Sequence, residues 1–193
     1  MIRFSSVRKT LNIFNFEIKA DSPAPYLASL TLLWICMMAL VNPVGEFPFS
    51  DDWMYAQSVF ELVTNHRFVL NDFQAVTVLA QLLWGALFSI PFGFSMTALR
   101  MSVIVLGWIG VLGAYGLFRE ANAGRFLSFL GAVTFATTPF LVLFSNTFMT
   151  DVPFCSTSVL SVLFFVRWIK NEKPADFLGA VFLASAEIGR AHV

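Results

Sequence analysis

The sequence predicts an all-α fold, a polytopic bundle of membrane helices, on three observations. Hydrophobic residues make up 58% of the 193 residues and charged residues only 12%. A soluble domain carries about 25% charged residues, so half that supply leaves too little polar surface to cover a water-exposed globule. The apolar residues also come in long blocks, which suit spanning helices. The charges gather between the blocks, and their formal sum is +0, so no basic field points to nucleic acid.

Residues 1–24 are polar, with Arg3, Arg8, Lys9 and Lys19 against Glu17 and Asp21. They are expected to be a cytoplasmic N-terminal segment. They are not a cleavable signal, because the first apolar block starts too late and no small-residue cleavage site follows it. That block, 26–44, is uncharged and suits one spanning helix. A loop of about 45–74 follows. Within it, 53–71 places Ala56, Val59, Phe60 and Val63 at helical spacing, which predicts an amphipathic helix at the interface. Further apolar blocks cover 75–94, broken near its end by Pro91 and Gly93, then 101–118, 126–144 and 154–168. A sixth begins at Phe177 and stops short of a bilayer's width. The final six residues, Ile188, Gly189, Arg190, Ala191, His192 and Val193, can be encoded by ATCGGAAGAGCACACGTC, a common sequencing-library adapter string. Residues 187–193 are therefore expected to be an artefact, and 25–186 the partial module.

Lys and Arg prefer the cytoplasmic flanks of membrane helices. The N-terminal segment, the Arg119–Arg125 loop and the Arg167–Lys173 stretch are the basic clusters. With all three inside, Asp51, Asp52 and Asp151 fall outside. Two full crossings between Asp52 and Arg119 would put Arg119 on the wrong side. Block 75–94 is therefore expected to be re-entrant or interfacial, with full spanning against the charge rule as the rival.

Few acids remain as candidates for chemistry. Asp51 and Asp52 follow the first block, and Asp151 sits in Phe148-Met149-Thr150-Asp151-Val152-Pro153-Phe154. Carboxylates so closely flanked by apolar residues are costly unless paired or used. Facing one side, they suit deprotonation of a hydroxyl, or a divalent cation held by Asp51 and Asp151. The plainer alternatives are helix caps and first-turn acids, with Pro153 in the first turn after Asp151. Arg100 at the outer interface suits a phosphate or simply snorkels. Tyr55 and Trp53 suit a substrate site or an aromatic belt. Cys36 and Cys155 lie in apolar blocks without metal-ligand spacing and are expected to be buried small hydrophobes.

Ser50-Asp51-Asp52-Trp53-Met54-Tyr55-Ala56, directly after the first block, resembles the acidic first-loop motif of GT-C glycosyltransferases. The nearest branch holds the bacterial aminoarabinose transferases and the protein O-mannosyltransferases. Leu99-Arg100-Met101 is similar to that family's Arg-Leu helix opening, and Met149-Thr150-Asp151-Val152-Pro153-Phe154 to its second motif. The resemblance covers about residues 25–175 and marks an N-terminal fragment of such an enzyme. It implies transfer of a sugar from a polyprenyl-phosphate carrier to a lipid, glycan or protein acceptor, with inversion, outside the cytoplasmic (inner) membrane. It further implies catalytic roles for three acids, Asp51 as the leading one (base or acceptor anchor), Asp52 in place of the usual Glu and Asp151 as the second acid orienting the acceptor or helping hold a cation, and substrate binding by Tyr55 and Arg100. Two departures stand out. Ser50 replaces a frequent proline, and Asp72-Phe73-Gln74 stands where a proline-rich helix opening is common. The rival classes are a transporter or channel piece, which expects acids at mid-helix depth, and a non-catalytic membrane scaffold.

Overall fold

A computed structural model describes residues 22–71 and 79–186. The expectations for 1–21, for 72–78 with Asp72, Phe73 and Gln74, and for 187–193 lie outside the described residues. Among the described residues the chain is helical, without strands: α1 (Ala24–Val41), α2 (Asp52–Thr64), α3 (Leu79–Phe92), α4 (Met96–Glu120), α5 (Arg125–Ala136), α6 (Pro139–Phe144), α7 (Asp151–Asn171) and α8 (Pro174–Ser185). Three of these, α1, α4 and α7, are long and apolar enough to cross a bilayer.

Helix α4 is the hub, with α1, α3, α5 and α7 packed around it. Its glycines 107, 110, 113 and 116 recur every third residue. A Cβ on Gly110 would stand 2.5 Å from Ser156 Oγ and 3.0 Å from the Ser156 Cα, so α4 and α7 meet almost backbone to backbone. Lipid tails supply no hydrophobic drive between helices, and close approach at small residues takes its place. Helix α1 buries Tyr26, Leu30, Trp34 and Met38, one residue per turn. Its Trp34 Nε1 donates to the Ile104 carbonyl at 3.1 Å. Trp108 on α4 returns a bond to Thr31 Oγ1 at 3.0 Å. The opposite face of α1 exposes Leu32, Ile35 and Leu40.

The structure corrects several boundaries. The third block starts earlier than its hydropathy suggests, because Ser95 caps α4 by accepting from the Ala98 N–H at 3.0 Å. Arg100 therefore lies in the helix's second turn, not ahead of it. The fourth block is broken into α5 and α6. Thr138 takes an extended conformation (φ −60°, ψ 132°) before Pro139, as a residue preceding proline prefers. The fifth begins at Asp151. The expected burial of the cysteines is also corrected: Cys36 is exposed and Cys155 only half-buried. A lipid-facing position is as apolar as a core one, so hydropathy does not separate them.

Contacts tie α3 to its neighbours near both of its ends. Near its start, Gln81 Nε2 donates to the Phe148 carbonyl at 3.0 Å. Its far end runs through Gly93 (φ +79°) straight into the Ser95 cap of α4. Midway, Trp84 Nε1 donates to the Ser102 carbonyl at 2.9 Å, so α3 lies against the first turns of α4. The bundle thus has one end formed by residues 42–71, 92–96 and 145–151. At the other end Glu120 pairs with Arg167 (3.1 Å) and Lys170 (3.3 Å).

Candidate functional site

The first loop leaves α1 through Asn42 and enters α2 at Asp51, the N-cap position. Ser50, just ahead, takes a left-handed conformation (φ 58°). Proline, locked near φ −65°, is barred from that conformation, so the Ser50 departure is one this backbone requires. Asp51 points to the surface and makes no side-chain cap bond. Asp52 turns inward and is fully buried.

Backbone donors hold the buried carboxylate on both sides. The Phe49 N–H donates to Asp52 Oδ1 at 2.7 Å. The Phe148 N–H donates to Oδ2 at 3.4 Å. Asp52 therefore joins the first loop to the loop that leads into Asp151, ninety-six residues later in the chain. Burial raises the Asp52 pKa; the two N–H bonds and the nearby Arg100 charge oppose the rise, and Asp51 adds to it. The net direction is upward, which makes Asp52 a stronger base than a free aspartate while it remains ionisable.

Arg100 is almost wholly buried, at 2% exposed. Its Nη1 donates to the carbonyls of Pro43 (3.2 Å) and Gly45 (3.0 Å), and its Nη2 to that of Phe47. The Phe47 ring lies 4.7 Å from the guanidinium carbon. This engages much of the fork that a carrier phosphate was expected to occupy. Tyr55 is buried one turn after Asp52 on the inner face of α2. Asp151 is the first residue of α7 and half-buried, with Thr150 at the N-cap position. A first-turn acid is favoured there by the helix dipole.

Two contributors escaped the sequence reading. Glu46 accepts from the backbone N–H groups of Met96 (2.8 Å) and Thr97 (3.3 Å) and from Thr97 Oγ1 (2.7 Å). Burial pushes its carboxyl up, but these three bonds and the Arg100 charge outweigh that and hold it below the ordinary value. Gln81, a lone amide in an apolar block, braces the Phe148 peptide from its carbonyl side. The rarity of polar groups at membrane depth was the signal for it.

A shallow groove of about 270 Å³ runs along the outer face of α2, lined by Pro48, Trp53, Gln57, Phe60, Phe94 and Met96 and by none of the acids. Among the described residues no three His, Cys, Asp or Glu side chains cluster as a metal site. Asp51 and Asp151 alone fall well short of the roughly six to eight oxygens of a calcium cage. A magnesium ion is instead commonly held by one or two carboxylates with waters and substrate phosphates.

A family model, dolichyl-phosphate-mannose-protein mannosyltransferase, matches residues 73–188. No curated protein and no solved structure matches the chain.

Proposed function

Because the chain belongs to the dolichyl-phosphate-mannose-protein mannosyltransferase family of GT-C-type membrane glycosyltransferases, we propose that the loop end of the bundle is its active site and that Asp52 is the general base. The donor in this reading is a polyprenyl-phosphate-linked hexose or pentose. The acceptor is a hydroxyl on a lipid, glycan or protein. The observation that carries the reading is the fully buried Asp52 carboxylate at the meeting of the two acidic loops.

The chemistry follows from that placement. The acceptor hydroxyl gives its proton to Asp52, and its oxygen forms a bond to the anomeric carbon. The bond from that carbon to the phosphate oxygen breaks on the opposite face, and the electron pair leaves with the polyprenyl phosphate. A single displacement of this kind inverts the anomeric centre. Each Asp52 oxygen spends one lone-pair direction on a backbone N–H and has a second in which to take the proton once the acceptor enters beside the buried carboxylate. Burial raises the carboxyl's basicity toward the working pH, as general-base catalysis needs. Positive charge growing at the anomeric carbon is stabilised by the carboxylates of Asp52 and Asp151 in a poorly hydrated setting. Asp51 and Asp151, with Tyr55, orient the acceptor. The apolar groove beside α2 suits the isoprenoid part of the donor.

The loop end faces away from the cytoplasm, and α3 is re-entrant. The charge rule supports this, since Arg119, Arg125, Arg167 and Lys170 gather at the other end. The bond from Gln81, near the start of α3, to the Phe148 carbonyl beside Asp52 supports it as well. Cysteines placed singly at Ser95 and Ala123 in the full-length protein test the sidedness. Labelling of Ala123→Cys from outside the cell would overturn it.

The catalytic reading is tested with Asp51→Asn, Asp52→Asn and Asp151→Asn in the full-length enzyme, assayed for sugar transfer in membranes. Asp52→Asn is expected to lose on the order of 10²–10⁴-fold in kcat at normal expression. Asp51→Asn and Asp151→Asn are expected to lose less. Retained transfer in Asp52→Asn sinks the assignment.

A further inference from the structure

We propose that Glu46 is a positioning residue for this site: with Arg100 it locks the 43–49 loop onto the first turns of α4 and so fixes where Asp52 stands. The proposal rests on the reading of Asp52 as the base, but its physical content, a clamped loop, is measurable without activity.

The first turn of a helix leaves backbone N–H groups without partners inside the helix. In α4 the cap Ser95 takes the Ala98 N–H. Glu46 takes those of Met96 and Thr97, reaching from a loop fifty residues earlier in the chain. A carboxylate at this position also meets the positive end of the helix dipole. Thr97 closes the contact from its own side: its Oγ1 donates to Glu46 Oε1 at 2.7 Å and accepts the Gly45 N–H at 3.1 Å. One turn later Arg100 collects the carbonyls of Pro43, Gly45 and Phe47. Every other carbonyl from 43 to 47 is thus gripped by a single side chain, the Gly45 N–H is held by Thr97, and the Glu46 carboxylate reaches from the loop to α4.

This clamp ends two residues before Phe49, whose N–H donates to Asp52 at 2.7 Å. The loop is therefore the rod between α4 and the carboxylate. Glu46 has no bond to Asp52, and it meets the groove lining only at the backbone N–H of Met96. Any effect it has on transfer passes through the loop. A displacement of about 1 Å at a reacting group costs up to about a hundredfold in rate, so a released loop is felt in kcat. Both partners of the clamp carry charge while the groups they hold are neutral backbone. That arrangement fixes a loop's shape without neutralising a site that must handle a phosphate donor.

The test compares Glu46→Ala, Glu46→Gln, Thr97→Val and the double variant Glu46→Ala with Thr97→Val in the full-length enzyme in membranes. The expected result for Glu46→Ala is a loss of about tenfold to a hundredfold in kcat, with the KM for the polyprenyl-phosphate sugar unchanged. Glu46→Gln keeps the reach and one acceptor oxygen, and is expected to recover part of the loss. The double variant is expected to fall no further than Glu46→Ala alone, because both side chains act through one contact. Hydrogen exchange supplies the structural readout: the amides of Gly45, Phe49, Met96 and Thr97 exchange faster in Glu46→Ala while those in α7 do not. Unchanged exchange at these amides overturns the proposal whatever the activity. A raised donor KM at unchanged kcat also overturns it, since it places Glu46 at the substrate. If Glu46→Ala does not accumulate, Glu46→Gln and Thr97→Val carry the same two readouts. Should Asp52→Asn retain transfer while the exchange result holds, the clamp stands and the base assignment alone falls.

Discussion

The two ends of the bundle use charge in opposite ways. At the end where α4 and α7 finish, Glu120 sits between Arg167 and Lys170, each side chain a quarter to two-fifths exposed (25%, 38% and 37%). At the loop end, Asp52, Arg100 and Glu46 bind peptide groups: two N–H groups, three carbonyls and two N–H groups respectively. An exposed ion pair adds little because water and salt serve each partner almost as well. A buried charge that grips backbone, as Asp52 and Arg100 do, has no such substitute, and its loss leaves peptide groups unsatisfied. The comparison teaches that the basic end is built for sidedness and the loop end for shape.

The largest effect that tests this contrast is catalytic. Asp52→Asn at one end is expected to cost about 10²–10⁴-fold in kcat, while Glu120→Gln at the other leaves kcat unchanged. Transfer assays on both variants at matched expression decide it. Equal losses would mean that the two ends are not functionally distinct.

Next comes stability. Arg100→Met removes the donor for the Pro43, Gly45 and Phe47 carbonyls while keeping apolar bulk beside the Phe47 ring. It is expected to destabilise the protein by about 2–4 kcal/mol, measured by thermal unfolding in detergent. Arg100→Lys is expected to recover only part of this, since a point charge on a flexible stem replaces a planar fork. Glu120→Gln provides the contrast, with a change below about 1 kcal/mol. A large loss for Glu120→Gln would erase the difference between the ends.

Much of this contrast was legible from the sequence and some was not, for physical reasons. Apolar runs long enough for a bilayer are local signals, so the existence of α1, α4 and α7 could be read directly. The acidic pair at 51–52 and the lone Asp151 stood out because carboxylates beside membrane helices are rare. The break at Thr137-Thr138-Pro139 and the Ser95 cap carried local signals that the hydropathy blocks concealed. Which of two adjacent aspartates turns inward depends on the left-handed Ser50 and on a loop ninety-six residues away, and neither leaves a local pattern. The same holds for Glu46, whose partners lie fifty residues further along and are backbone amides, identical in every sequence. The role of Arg100 was visible as a charge at a helix start, but its engagement by carbonyls was not.

The smallest expected effect sharpens the comparison through pH. Glu46 has a carboxyl held below its ordinary value of 4.5 in the folded protein. A depressed carboxyl contributes stability that is fully present above the unfolded value and lost as pH falls through the folded one. The loop end should therefore loosen on acidification in a window from about 4.5 downward, ahead of the bundle core. Because Glu46 is exposed, the contribution is small and screened by salt. Hydrogen exchange of the Met96 and Thr97 amides, followed from neutral pH to pH ~3.5 and corrected for intrinsic rates, should show protection falling in the parent enzyme. In Glu46→Gln the same amides should begin less protected and show little further change with pH. Identical pH profiles in the two proteins would mean that another group governs the loosening, and the loop end would then owe its shape to Arg100 alone.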